Sequence, residues 1–240
     1  MLNEIRLAAG FLTIIPVGRD SDGSSEISAS FGWFPLIGFM LGALLAGADY
    51  LLASSTSNAL RSTFVVLFLI VITGAVHLDG LADTADALGA GRDRVRALTI
   101  LRDSRIGTFG AAAIFFVLAL KIAALASATH SRPAALYLAP GLARWAMVAV
   151  SYNVTYLHEH GAGSRLLGAD KRNLRLASIV TIIALIPAGA LLAIRATIVA
   201  ILLVWILRSF YVGWLGGITG DLIGAAGEII EAAALIALTT

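Results

Sequence analysis

Apolar residues in this chain fall into long unbroken runs, without the alternation of a strand or the narrow stripe of a soluble helix. Runs at residues 34–53, 63–78, 108–128, 133–152, 174–194, 196–215 and 221–238 approach the roughly 20 apolar residues that carry a helix across a bilayer. The second run is short, and its helix is expected to continue past the lipid through Leu88. Pro35 falls near the first turn of the first run, where proline is tolerated, and Pro187 predicts a kink in the fifth. Ahead of these, residues 5–17 predict a short helix on the membrane surface or against the bundle, ended by Pro16. That stretch lacks the positive start and small-residue cleavage site of a signal peptide.

Between the runs lie polar segments. Residues 18–30 read as loop, and Gly89 and Gly91 break the acidic helix after Leu88. Residues 93–101 predict an interfacial helix with arginines on its wet side, and 153–172 form a glycine-rich loop holding His158 and His160. The expected fold is an all-α polytopic membrane helix bundle of about seven transmembrane helices, one integral membrane catalytic domain over residues 1–240. No long internal repeat supports an inverted-repeat transporter.

Composition agrees. Charged residues are 13% and hydrophobic ones 59%, against about 25% charged in soluble chains. Without cysteine there is neither disulfide nor thiolate metal site, and a dispersed net charge of +2 gives no nucleic-acid surface. The basic residues are lopsided. Arg6, Arg19, Arg92, Arg94, Arg96, Arg102, Arg105, Arg165, Lys171, Arg172 and Arg175 would share one side, with Arg61, Arg132 and Arg195 opposite. The positive-inside rule then places the N-terminus, the acid-rich stretch, the 153–172 loop and the 216–221 turn on the cytoplasmic face.

The chemistry concentrates in residues 77–110, which hold Asp79, Asp83, Asp86, Asp93 and Asp103, five of the 15 acidic residues. On one helix Asp79, Asp83 and Asp86 fall within an arc of roughly 60°, where like charges repel unless a cation sits between them. Oxygen-only ligands at that spacing suit Mg2+ or Mn2+, with Asp103 as a further ligand. A solvated helix face is the plainer reading, but no Lys or Arg interrupts the acids before Arg92.

A second acidic group lies in residues 216–231. Asp221 and Glu228 share a helix face, while Gly216, Gly220 and Gly224 follow a small-xxx-small packing pattern that would bring them toward the aspartates. Glu228 is deep enough to need a polar cavity or a salt bridge to Arg144 or Arg208. Arg102 and Arg105 are candidate phosphate grips, and the intramembrane Arg144 and Arg208 suit a substrate phosphate or an acidic partner. Lys121 reads as a local salt bridge. His77 lies about 160° from Asp79 on a continuous helix and is expected to stand outside the chemistry. No hydrolase triad, phosphate loop or dinucleotide fingerprint is present. Charge logic therefore points to a Mg2+-assisted phosphoryl or phosphodiester transfer at the cytoplasmic surface.

Three segments in combination, HLDGLADTAD (77–86), RDSRIGTFG (102–110) and GGITGDLIGAAGE (216–228), resemble the cobalamin synthase family. FLTIIPV (11–17) and FPLIG (34–38) echo it in order. Ala87 stands where the family usually has glycine, and Ile14 where it often has arginine. The resemblance implies attack of a ribose hydroxyl of α-ribazole, or its 5′-phosphate, on the cobinamide-linked phosphate of adenosylcobinamide-GDP. GMP would leave, Mg2+ would be required, and the location would be a prokaryotic cytoplasmic (inner) membrane. It implies that Asp79, Asp83 and Asp86 hold Mg2+ against the pyrophosphate. Asp103 or Asp221 would complete the site or accept the proton, and Arg105 would contact phosphate. Membrane lipid, other cobalamin-pathway enzymes and a second copy of the chain are the further partners this reading admits. A CDP-alcohol phosphotransferase fits less well, since Ala82 is followed by Asp83 where its pattern has an Ala-Arg pair. An ion or solute transporter, suggested by Glu228, Arg144 and Arg208, requires polar groups through the full bilayer depth.

Overall fold

The computed structural model describes residues 1–17, 28–103, 105–157 and 169–239, and every element longer than a bridge is helical among them. The first helix, α1 (Leu2–Leu12), buries Ala8 and Leu12 and is pinned to the bundle where Trp33 donates to Glu4 at 2.9 Å. It ends at Leu12, short of the expected Pro16, because Thr13 turns extended and its hydroxyl donates back to the Ala9 carbonyl at 2.7 Å. A single 3-10 turn (Phe31–Trp33) leads into α2 (Phe34–Leu52), with Pro35 in its first turn as expected.

Next, α3 (Asn58–Thr73) is capped by Ser57. The expected continuous helix from here through Leu88 is not formed. Gly74 and Ala75 are both left-handed (φ 63° and 57°), and α4 (Val76–Leu88) departs at 91° to α3. A left-handed alanine costs roughly 1–2 kcal/mol, so the corner is held by its surroundings. The Ala75 N–H reaches the Ile70 carbonyl at 3.1 Å, and the Ile14 N–H takes the freed Ile72 carbonyl at 2.9 Å. A Cβ on Gly74 would stand 2.8 Å from the Ile14 side chain. The segment after α1 thus closes the corner, a structural use for residues 11–17.

The short α5 (Arg94–Ile100) is capped by Asp93, which accepts from the Arg96 N–H at 3.0 Å. The remaining helices are α6 (Thr108–Ser127), α7 (Arg132–Ser151), α8 (Lys171–Leu185), α9 (Ala190–Leu215) and α10 (Gly220–Thr239). The hub is α7. Ala135, Leu138, Ala139, Leu142, Ala143, Ala146 and Val148 along it are wholly buried. By contrast α9 exposes Ile198, Leu202 and Trp205, an apolar face suited to lipid.

Small residues set how closely these rods approach. A Cβ on Gly38 of α2 would fall 2.5 Å from the Pro140 carbonyl oxygen and 2.9 Å from the Gly141 Cα of α7, both backbone atoms that cannot step aside. Gly38→Ala should therefore force the two helices apart and cost about 1–3 kcal/mol, read as a lower thermal midpoint in detergent.

Among the described residues five helices are long and apolar enough to cross a membrane, six if the bent α3–α4 pair counts as one. That is short of seven. The fifth expected span is the shortfall: it divides into α8, of 15 residues, and a 3-10 turn at Ile186–Ala188 before α9. Even so, α8 runs antiparallel along α7, with Tyr137 donating to the Ala184 carbonyl at 3.0 Å and Trp145 to Ser178 at 3.1 Å.

At the end of the bundle remote from α4, Asp49 is buried with two arginines. Arg132 donates to it at 2.6 Å and Arg61 lies at 3.1 Å, while Arg132 also donates to Ser62 at 3.1 Å and to the Leu125 carbonyl. This clamp joins the ends of α2, α3 and α7. It also neutralises part of what little positive charge that end carries.

Candidate active site

The 91° corner lays α4 across one end of the bundle, where it meets the N-terminus of α10. The contact is backbone to backbone. A Cβ on Gly80 would stand 2.8 Å from the Asp221 carbonyl oxygen and 2.9 Å from its Cα. Gly80 lies between Asp79 and Asp83 in sequence, so the closeness of the two helices brings Asp221 to the aspartate face. Asp79 is exposed, and Asp83 and Asp221 are half-buried.

Electrostatics report the crowding. The Asp83 carboxyl is pushed up from 3.8 to about 6, first by burial and then by the negative charges of Asp79, Asp221, Asp86 and Asp103. Asp79, Asp83 and Asp221 are thus a real constellation across two helices.

Asp86 also has a structural duty. One carboxylate oxygen accepts the Gly107 N–H at 2.6 Å and the other accepts the Gly110 N–H at 2.9 Å. It caps α6 from another helix, satisfying N–H groups that begin a helix without partners. Gly107 is demanded by the approach, since a Cβ there would lie 2.5 Å from an Asp86 oxygen. These bonds occupy one lone pair on each Asp86 oxygen, so the capping stands beside the cation role expected of Asp86 with Asp79 and Asp83 and does not replace it.

Asp103 and Arg105 hold each other. The guanidinium donates to the carboxylate at 2.7 and 3.0 Å and the Arg105 N–H at 3.1 Å, lowering the Asp103 carboxyl to about 2. The pair is at the surface, so Asp103 is a close neighbour of Asp83 already answered by its own cation. Arg105, expected as a free phosphate grip, is engaged. Arg102 is exposed beside it. Ser104 between them, and His158 and His160, lie outside the described residues.

Two expected substrate contacts belong to the core instead. Lys121 donates to Glu228 at 2.6 Å and to Glu231 at 2.7 Å, and Arg144 donates to the other Glu231 oxygen. All four side chains are buried between α6, α7 and α10. Arg144 and Glu228 therefore stabilise the bundle and are corrected from substrate binding. Glu228 and Arg144, which prompted the transporter reading, are thus answered by other side chains of the bundle. Lys121 is the ion-pair residue expected, though its partners are over a hundred residues away. His77 stands outside the aspartate face as expected, buried with its backbone against Gly224.

Arg208 donates to the Tyr152 carbonyl and, at 3.5 Å, to that of Asn153, closing the end of α7. It lines a cleft of about 330 Å³ with Asn153, Thr155, Ser209 and Gly216 among others. Sequence reasoning missed Tyr156. Its flanking residues form a two-rung bridge, Ile218 N–H to Thr155 carbonyl at 2.9 Å and Leu157 N–H to Ile218 carbonyl at 2.9 Å. Tyr156 bonds the Gly220 backbone, and the Asp221 charge helps to raise its phenol above 10 after burial. A lone tyrosine in an aperiodic loop carries no sequence signal.

Among the described residues no three His, Cys, Asp or Glu side chains are grouped as a complete metal cage. The donor set nevertheless suits a hard cation. It is all oxygen, and Mg2+ commonly takes one or two carboxylates and completes its shell with water and substrate phosphate.

Comparison with known proteins finds relatives along the whole chain. A family described as cobalamin-5-phosphate synthase matches residues 4–239. A Desulforamulus reducens protein named adenosylcobinamide-GDP ribazoletransferase is 36% identical over 233 residues, covering 96% of this chain and 94% of that relative. Proteins of the same name from Geotalea daltonii and Klebsiella pneumoniae are 35% and 36% identical, over 99% of this chain and 97% and 100% of theirs. No solved structure matches. With the match running almost from end to end, the chain belongs to the cobalamin-5-phosphate synthase family.

Proposed function

We propose that the chain is an adenosylcobinamide-GDP ribazoletransferase of cobalamin biosynthesis, working at the cytoplasmic surface of a prokaryotic inner membrane. The observation that carries this is the meeting of Asp79 and Asp83 with Asp221 at the Gly80 contact, in a chain of this family. Family membership also favours it over a CDP-alcohol phosphotransferase. The orientation rests on Arg92, Arg94, Arg96, Arg102 and Arg105, which cluster at the aspartate end.

The ribose hydroxyl of the acceptor attacks the phosphorus bonded to cobinamide. A new P–O bond forms, the pyrophosphate P–O bond breaks, and GMP departs with the bridging oxygen. Asp83 is the group to take the hydroxyl proton, because a carboxyl raised to about 6 is a better base than an ordinary aspartate and is ionised at neutral pH. Asp79 and Asp221, from two helices, are the residues that would hold Mg2+. A bound Mg2+ would supply charge neutralisation for the pyrophosphate. Arg102, exposed next to Asp103, is a further cation at the same mouth.

Purified protein in detergent, given adenosylcobinamide-GDP, α-ribazole and Mg2+, should release GMP. Release no greater than in a Mg2+-free control would overturn the reading.

A further inference from the structure

Asp221 follows a turn in which every residue is held. Gly216 is left-handed (φ 73°) and ends α9, its N–H donating to the Val212 carbonyl at 2.9 Å. Gly217 lies so close to Thr155 that any side chain on it would strike the Thr155 carbonyl. Ile218 is buried and makes both rungs of the bridge, one with Thr155 and one with Leu157. Those rungs flank Tyr156, whose hydroxyl accepts the Gly220 N–H. Thr219 is wholly buried, and its hydroxyl works twice. It accepts the Leu222 N–H at 3.3 Å and donates to an Asp221 carboxylate oxygen at 3.4 Å.

Helix capping accounts for part of this, since the Gly220 and Leu222 N–H groups begin α10 without helical partners. It does not account for the Thr219 bond to the carboxylate. Nor does it explain why the residue so held is the one that Gly80 presses on from α4. Asp221 has its backbone fixed from α4, from the loop after α7 and from its own turn, and its carboxylate is oriented by Thr219. A carboxylate oriented before a cation arrives loses less freedom on binding it, and groups that do the orienting govern affinity almost as strongly as the ligands.

We infer that Tyr156 and Thr219 are positioning residues for the proposed reaction, fixing the Asp221 carboxylate in the attitude in which it takes a divalent cation together with Asp79. Neither residue is assigned a contact with the reacting atoms. The inference rests on the reading of Asp221 as a cation ligand of the proposed site.

Mn2+ can stand in for Mg2+ in a binding measurement by electron paramagnetic resonance, on full-length protein in detergent with GDP supplying a pyrophosphate. Tyr156→Phe and Thr219→Val should each weaken Mn2+ binding about tenfold, and raise the Mg2+ needed for half-maximal GMP release by a like factor. The KM for α-ribazole should move less than about twofold, because neither residue holds the acceptor. Thr219→Ser keeps the hydroxyl and should bind Mn2+ within about twofold of wild type. Asp221→Asn should lose at least as much affinity as either variant, and adding Tyr156→Phe to it should cost nothing more. Lower thermal midpoints with unchanged Mn2+ affinity would reduce both residues to structural supports and overturn the inference. So would a Thr219→Ser variant as weak as Thr219→Val, or a wild type that binds no Mn2+. A wild type that shows these Mn2+ contrasts yet releases no GMP is a different failure, that of ribazole transfer itself.

Discussion

Replacing Asp83 by Asn should abolish nearly all GMP release, by about 100-fold or more, while leaving the protein at least as stable as before. The loss follows from removing a positioned base, whose contribution is typically 10²–10⁴-fold. The stability follows from the sign of the charge effect. Asp83 has a folded value of about 6 against an ordinary 3.8, so between those pH values the folded state holds more protons than the unfolded one. Stability therefore falls as pH rises from about 4 to about 6, and above that the ionised carboxylate is a standing cost. Asparagine removes it. Wild-type turnover should rise with pH as Asp83 ionises, with a midpoint below 6 because a bound Mg2+ would answer the Asp79 and Asp221 charges that raise it, whereas any residual turnover of Asp83→Asn should lack that step. Thermal midpoints and pH profiles of turnover in one detergent measure both. A variant with full turnover, or one much less stable at pH 7, would remove Asp83 from the role given to it.

Glu231→Leu should be the most damaging single change to the bundle. Among the described residues Glu231 is the only carboxylate bonded to Arg144 and one of two bonded to Lys121, and all of these groups are buried. Removing one partner from a buried ionic network costs about 3–5 kcal/mol, because the remaining charge is left without water or counter-ion. The double variant Glu231→Leu with Arg144→Met should recover a substantial part, since it removes the stranded guanidinium as well. Helical circular dichroism on heating in detergent reads the order wild type, double variant, single variant. A single variant within about 1 kcal/mol of wild type would show that the network is dispensable.

What could be read from the sequence followed the range of the interactions concerned. The apolar runs were legible because bilayer thickness sets their length directly, and Pro35 and the short helix after Asp93 fell where local rules put them, whereas the first helix spans 2–12 and not 5–17. The Asp79–Asp83 face and its meeting with Asp221 were legible too, from helical spacing and the glycines of α10. The cap made by Asp86 escaped because capping rules look three residues ahead, and its N–H partners are 21 and 24 residues away. Arg144 and Glu228 were misplaced for a related reason. Their charges identify them as unusual in a membrane, but only tertiary packing decides whether the answering charge is a substrate or Lys121 and Glu231. The corner at Ala75 had no local sign, since alanine is a poor left-handed residue and is held there by Ile14 and Ile72 from outside.

That corner separates two jobs that a straight helix would have merged. Residues 58–73 keep the direction of the bundle, whereas residues 76–88 lie athwart it like a sill below an open window. A corrinoid donor, on the proposed function, has no need to enter between these rods. Only its nucleotide end must cross the sill, so the donor's bulk can remain in water while its phosphates reach the acids. On this view the bilayer supplies a floor of fixed height for the chemistry and is never its solvent.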